Sequence, residues 1–241
     1  MKKNLLLSNI PEEERQRLER FLEPVLLELR EIIQEEDKPI THVYFPLDFV
    51  SSTVIEMEDG EVVEVGVTGN EGLAGIQFFL REETTHSTTF AQIPGEGLRM
   101  KASDFKKQVM DKGGPLHDLL HRYTHAFLAQ ISQTAACNRL HPLDQRLCRW
   151  ILMTHNRVQR DEFPITQEFI GQMLGVRRPT VSTVANILQK AGLISYSRGR
   201  VKVLDRDGLE NGSCECYWTI LKQFDRIYGE TWPPQGARAS D

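Results

Sequence analysis

The stretch PITQEFIGQMLGVRRPTVSTVANILQKAGLI, residues 164–194, holds two helical patterns separated by a glycine. In the first, Thr166 is an N-cap residue and Phe169, Ile170, Met173 and Leu174 share one face. Gly175 supplies the left-handed backbone that ends it. In the second, Pro179 suits the first turn, where an amide proton is dispensable, and Val181, Val184, Ile187 and Leu188 form another apolar face. This pattern fits a plain helical hairpin with a solvated basic end. It also fits a helix-turn-helix, whose second helix enters the DNA major groove. The side chains favour the second reading. Arg177, Arg178, Thr180, Ser182 and Thr183 cluster at or near the N-terminal end of the second helix, off its apolar face. An Arg fork matches guanine, and Thr or Ser hydroxyls reach bases or phosphates.

The charge distribution agrees. The chain of 241 residues carries a net −5, an unpromising sign for a phosphate binder. Yet residues 142–204 hold a net +6, against −8 over residues 1–141 and −3 over residues 205–241. Positive charge is concentrated where a phosphate backbone needs it. The length suits one large domain or two modest ones. No segment has the apolar length of a membrane span, and the run after Met-Lys-Lys is too short for a signal h-region, so a cytoplasmic protein with no membrane partner is expected. Cys137, Cys148, Cys214 and Cys216 form no recognisable zinc or disulfide framework, as a reducing compartment permits.

Outward from this stretch, residues 11–22 read as a charged amphipathic helix with Leu18, Phe21 and Leu22 inward. From about residue 25 to 100 the pattern is short β-branched strands, at 41–46, 50–57 and 62–67, with turns at 58–61, 69–72 and 94–95. Such spacing indicates an antiparallel sandwich or barrel. A short helix at 104–110 stops at Gly113-Gly114. Pro115 opens a long helix reaching about residue 140, broken by His141-Pro142. Along it Leu116, Leu120, Tyr123, Phe127, Ile131 and Thr134 recur at three- and four-residue steps. That stripe can pack on the chain's own β domain or pair two subunits. The homodimer seam is the expectation taken, because a stripe beside a DNA module often pairs subunits. Residues 143–158 form a helix with Leu147, Trp150, Ile151 and Val158 apolar and three Arg facing out. Residues 195–204 read as a basic hairpin turning at Arg198-Gly199, a wing whose Arg198, Arg200 and Lys202 reach phosphates. Asp205 caps a final segment with a helix at about 217–228, and the tail 233–241 is expected to be disordered.

The fold class is therefore α+β. An antiparallel β-roll or jelly-roll sensor domain (1–114) precedes a dimerisation helix (115–140) and a winged helix-turn-helix with a C-terminal extension (141–241). This order resembles the Crp/Fnr family of bacterial transcription regulators over nearly the whole chain, most specifically at residues 165–182, 188–194 and the wing at 198–204. The resemblance implies a homodimer on a palindromic operator, with RNA polymerase as a partner if the protein is an activator. It also implies that Arg178 reads a base, that Thr180 and Ser182 lie near DNA, and that Thr166, with Gln167 beside it, meets a phosphate. Pro179 stands where the best-known members carry Glu, and Thr183 where they carry a second base-reading Arg, so the operator should differ from theirs.

The β domain resembles the family's cyclic-nucleotide-binding fold, in which a Gly-Glu turn and a later Arg hold the phosphate. Residues 69–75 loosely match the turn, but residues 82–98 contain no Arg or Lys. A cyclic phosphate would lose its strongest contact, and a neutral His86 does not replace it. The expected pocket is Glu71, Gly72 and Leu73 with His86, Ser87 and Thr88, open to some other small-molecule effector and not to a cyclic nucleotide. His117, His121 and His125 read as a partly solvated helix flank, since three consecutive turns spread too far for one tetrahedral ion. Cys214-Glu-Cys216 is a single Cys-x-Cys, weak as a metal or redox signal. Cys137 and Cys148 read as small packing residues. Asp48, Glu56, Glu64 and Glu71 read as solvated strand carboxylates with no acid/base pairing. No catalytic motif, metal site or cofactor site is expected, and the protein is not expected to be an enzyme. The competing class is a cupin-like small-molecule-binding protein or metalloenzyme with a helical assembly domain. It would need ligands converging inside the barrel, where only His42 and His86 supply imidazoles.

Overall fold

The computed structural model describes residues 3–158, 160–229 and 232. Two short helices, α1 (Leu5–Ser8) and α2 (Glu12–Glu19), precede the β domain. Its strands are β1 (Glu23–Leu27), β2 (Ile32–Gln34), β3 (His42–Pro46), β4 (Val50–Glu56) and β5 (Val62–Thr68), then helix α3 (Ile76–Phe79), β6 (Thr88–Ile93) and β7 (Gly95–Lys101). They form two antiparallel sheets, ordered β1-β7-β3 and β2-β6-β4-β5. Helix α4 (Ala102–Phe105) runs into a π-helical turn and leads to the long helix α5 (Pro115–Leu140). Next come α6 (Leu143–Val158), β8 (Glu162–Pro164), α7 (Gln167–Leu174), α8 (Arg178–Lys190), β9 (Ile194–Ser197), β10 (Arg200–Val203), α9 (Arg206–Asn211) and α10 (Cys216–Tyr228). The wing is a three-stranded sheet, β8-β10-β9; the short β8 carries too little pattern to be read from sequence. Among the described residues no helix is long and apolar enough to cross a membrane. The tail expected to be disordered lies outside the described residues.

One apolar core runs from the β sheets through α5 and α6 into the helix-turn-helix, joining Phe45, Val67, Leu120, Ile151, Ile170 and Val181. Two close approaches make this possible. A Cβ on Gly69 would overlap the Arg157 side chain, and one on Gly72 would overlap the Tyr123 hydroxyl, so only glycine lets α6 and α5 press on the turn after β5.

That packing corrects three expectations. Leu116, Leu120, Tyr123 and Phe127 are buried within their own chain and Ile131 is half-buried, so the stripe is not a free dimer seam. It covers the β domain, where each large side chain stabilises the fold by about 1.5–3 kcal/mol. The outward face of α5 is offset by one residue: His121, His125, Leu128, Ser132, Ala135 and Arg139 are exposed. Second, Arg146, Arg149 and Arg157 on α6 face inward, because neighbours cover the helix on several sides and supply acceptors for the guanidinium groups. Third, Ile187 is 56 % exposed; Ala185 takes its place with Val181 and Leu188 on the buried face of α8.

Candidate nucleic-acid interface

Helix α7 begins where Thr166 accepts a bond from the Phe169 amide at 3.1 Å and ends at Gly175, whose φ is 64°. Its buried face is Phe169, Ile170, Met173 and Leu174, as expected from periodicity. The Arg146 guanidinium on α6 donates to the Leu174 carbonyl, satisfying part of the open C-terminal turn. Gly171 lets the chain after Gly175 return over α7, since a Cβ there would stand 2.7 Å from the Val176 oxygen. These constraints set the angle at which α8 leaves the turn.

The start of α8 is the basic, exposed end of the unit. Arg177, Arg178, Pro179, Thr180 and Thr183 are exposed and Ser182 is half-buried, while Val181, Ala185 and Leu188 hold the inner face. Arg177 occupies the N-cap without a side-chain bond, and Pro179 has no amide proton. Thr180 and Val181 donate their amides to the Arg177 carbonyl, so what this end offers a phosphate is its exposed cationic and hydroxyl side chains and the positive end of the helix dipole. Thr183 donates its hydroxyl to the Pro179 carbonyl at 3.1 Å, which leaves its methyl and lone pairs outward. Asn186, one turn further along the same side, is exposed, can match adenine, and was missed in sequence because it lies beyond the N-terminal cluster.

The wing hairpin turns at Arg198 and Gly199, whose φ values are 49° and 72°. Tyr196 ties it to the helix-turn-helix: its hydroxyl donates to the Ile165 carbonyl at 2.9 Å and its amide donates to Gln189 Oε1 at 2.9 Å. Arg198 and Lys202 are exposed, whereas Arg200 is ion-paired to Glu162 on β8 across the sheet. Thr166, Gln167, Arg177, Arg178 and the wing thus belong to one unit, with Arg200 already partly neutralised.

The unit is held against the β domain. Phe169 meets Phe90 edge-on at 5.9 Å, and the Arg30 guanidinium lies 5.8 Å from the Phe169 ring centre. Trp150 donates to Glu64 at 3.0 Å, and Ser52 bonds Glu64 from the same sheet. Burial pushes the Glu64 carboxyl up to about 7, against the pull of Ser52, Trp150, Arg149 and Arg157. Deeper still, Arg157 pairs with Glu71 at 2.8 Å and donates to Gln130 on α5 at 2.9 Å. Its guanidinium lies 5.4 Å from the Trp232 ring centre, and Tyr228 bonds the Glu71 carbonyl. Glu64 and Glu71 were expected on solvated strand faces; both are buried because partners from α6 reach them. Asp48 is buried too, accepting from the Glu96 amide at 2.7 Å, and Glu56 is exposed.

The expected effector pocket does not assemble. Glu71, Gly72 and Leu73 are packed under Tyr123, Arg157 and Tyr228. Ser87 is buried against Thr85 and Thr88 is half-buried beside Glu36, while His86 is exposed. Arg81, the nearest guanidinium in sequence, is also exposed. Of the three histidines on α5, His117 is half-buried and its ring stands 4.7 Å from that of the exposed His121; His125 is exposed. Among the described residues the donors that do converge are Cys137, His141, Cys214 and Cys216.

Residues 145–211 match the family model of the Crp-like helix-turn-helix domain. No curated protein matches the chain in sequence. Among solved structures, a putative transcriptional regulator of the Crp/Fnr family from Eubacterium rectale aligns with a TM-score of 0.65 at 18% identity, over 86% of this chain and 96% of that one. FixK2 of Bradyrhizobium japonicum aligns with a TM-score of 0.67 at 16% identity, over 80% and 98%. A CRP-family transcriptional regulator from Thermus thermophilus aligns with a TM-score of 0.64 at 17% identity, over 78% and 96%. The β-roll, long helix and winged unit described above are thus a fold of the Crp/Fnr type, carrying a Crp-like helix-turn-helix domain.

Proposed function

We propose that this chain is a sequence-specific DNA-binding transcription regulator that acts as a homodimer on a palindromic operator and takes no cyclic nucleotide. The observation that carries the reading is the end of α8: its apolar side is buried, while Arg177, Arg178 and Thr180 are exposed at the positive end of its dipole. Arg178 reads a guanine edge, Thr183 offers a methyl to a thymine, and Arg198 and Lys202 hold phosphates on the flank. Thr166 keeps its cap by accepting, so its own hydroxyl proton remains for a phosphate oxygen. Two such units read a two-fold symmetric site, and the outward face of α5, with Leu128 54 % exposed, is the surface that pairs them.

Against a cyclic nucleotide stands the state of the turn at residues 69–75. Arg157 and Tyr123 lie against it, and the Glu71 carboxylate is already paired. A change at the β domain reaches α8 through α6, turning about the break at His141 and Pro142. Whether that signal is a small molecule or the domain only supports the DNA unit, the reading of DNA rests on the same residues.

The test is selection of a binding site by the full chain from random DNA, followed by titration of Arg178→Ala. Loss of about 1–3 kcal/mol on the selected site, with one base position relaxed and random DNA little affected, is expected. Equal losses on selected and random DNA would make Arg178 a phosphate contact and remove the base-reading role.

A further inference from the structure

Two pieces of chain distant in sequence meet where the long helix ends. Cys137 lies in the last turn of α5, and His141 follows it as the C-cap residue, its amide bonded to the Cys137 carbonyl at 3.1 Å. Cys214 and Cys216 come from the turn between α9 and α10 and the first residue of α10. Cys137 Sγ stands 3.5 Å from Cys214 Sγ, and Cys216 Sγ stands 3.4 Å from His141 Nδ1. All four candidate ligand atoms lie within 4.8 Å of one another. Donors bonded to a tetrahedral zinc ion at ordinary Zn–S and Zn–N lengths stand roughly 3.5–3.8 Å apart. Two donor pairs therefore already stand close to that spacing, and the remaining separations, all within 4.8 Å, are short enough to close on one ion.

We propose that Cys137, His141, Cys214 and Cys216 form a Cys3His site for a structural zinc ion, which pins the hinge after α5 to the C-terminal helix α10. Three observations beyond the donor set support it. His141 Nε2 faces the Glu215 carboxylate at 3.2 Å, which directs the ring proton to Nε2 and turns the Nδ1 lone pair toward the cysteines. Gln133 Nε2 donates to Cys216 Sγ at 3.0 Å, a contact that favours a thiolate. Charge complements the pair of loops as well. Zinc with three thiolates and a neutral imidazole is a monoanion, and the buried Arg149 and Arg146 on α6 act electrostatically on Cys137. Both guanidinium groups keep a buried Nε without a hydrogen-bond partner. Metal binding releases the thiol protons to solvent, and no redox change is involved.

The site is independent of the DNA reading, and its test uses metal as the probe. The full chain, purified in reducing buffer without chelator, should contain one zinc per chain by mass spectrometry of the elements. Chelation and refolding with cobalt(II) should give the intense visible bands of a tetrahedral thiolate site, displaced by added zinc. Cys214→Ser and Cys216→Ser should each lose the metal, while Cys148→Ser, whose thiol lies outside the cluster, should keep it. Glu215→Gln should keep the fold and weaken zinc affinity roughly 10- to 100-fold. Wild-type protein that takes up neither zinc nor cobalt in that geometry would overturn the proposal. So would a Cys137–Cys214 disulfide in the reduced preparation, iron and sulfide in place of zinc, or zinc retained by both serine variants.

Discussion

Glu64→Gln should stabilise the protein at neutral and alkaline pH and leave it unchanged in acid. Glu64 sits on β5 under α6, accepting from Trp150 at 3.0 Å and bonded by Ser52, which also reaches Gln92 at 2.8 Å. Arg149 and Arg157 favour its charged form, but loss of water around the buried carboxylate outweighs them and raises its pKa from 4.5 to about 7. That gap corresponds to about 3 kcal/mol at roughly 1.4 kcal/mol for each pH unit. The sign follows from which state holds the proton. Below pH 4.5 Glu64 is neutral in the folded and unfolded chain alike, and its contribution is fully present. As pH rises, the unfolded chain releases its proton first, so the stability tied to the neutral carboxyl drains away until the folded group ionises near 7. A glutamine stays neutral throughout and still accepts from Trp150.

Urea unfolding of wild type and Glu64→Gln across about pH 4 to 8 measures the difference directly. The two curves should nearly coincide at the acid end and separate by about 3 kcal/mol in favour of the variant at the alkaline end. Parallel curves would mean that the folded and unfolded pKa values are equal. A variant less stable at about pH 8 would show that Arg149 and Arg157 hold Glu64 ionised, and the burial argument would fail. Because Trp150 belongs to α6 and Glu64 to the β sheet, the same titration reports on how firmly the DNA unit is docked.

Two further outcomes follow from the geometry of the wing and the long helix. Arg198→Ala and Lys202→Ala should each lower the slope of log affinity against log salt by about one unit, whereas Arg200→Ala should lower it less, since Glu162 already pairs that charge. Three equal slopes would place Arg200 on DNA in preference to Glu162. Leu120→Glu should unfold the chain, because Leu120 is buried in the core between α5 and the β domain, while Leu128→Glu should leave circular dichroism unchanged and produce monomers in sedimentation. A dimer that survives Leu128→Glu would move the pairing surface off α5.

The elements were legible where local chemistry acts alone. Thr166 and Gly175 bracket α7, and Pro115 opens α5 while His141-Pro142 breaks it, because caps and proline act through a few backbone groups. The turn at Arg198-Gly199 was likewise local. The exposure of the proposed DNA-contact set was readable for the same reason: Arg177, Arg178 and Thr180 lie off the apolar face at a helix end, and all three are exposed. What periodicity could not say is what covers an apolar stripe. On α5 the repeat through Leu116, Leu120, Tyr123 and Phe127 identifies a buried face, and an own β sheet or a second subunit would leave the same trace.

Burial of charge was the other thing sequence concealed, and here distance along the chain is the cause. Arg157 looks like a solvated helix residue until Glu71, 86 positions away, is brought to it. Neither charge could be buried alone, so each residue's burial depends on the other's. The cysteines follow the same logic. Cys137 and His141 have a spacing common on any helix, and Cys214-Glu-Cys216 by itself says little; 77 residues separate Cys137 from Cys214. Only the packing of α10 along α5 sets the two pairs face to face, with Glu215 behind the imidazole. A donor set split between two weak pairs is invisible to motif spacing for a physical reason. A metal ion constrains distances in space, and here the fold, not the local sequence, supplies them.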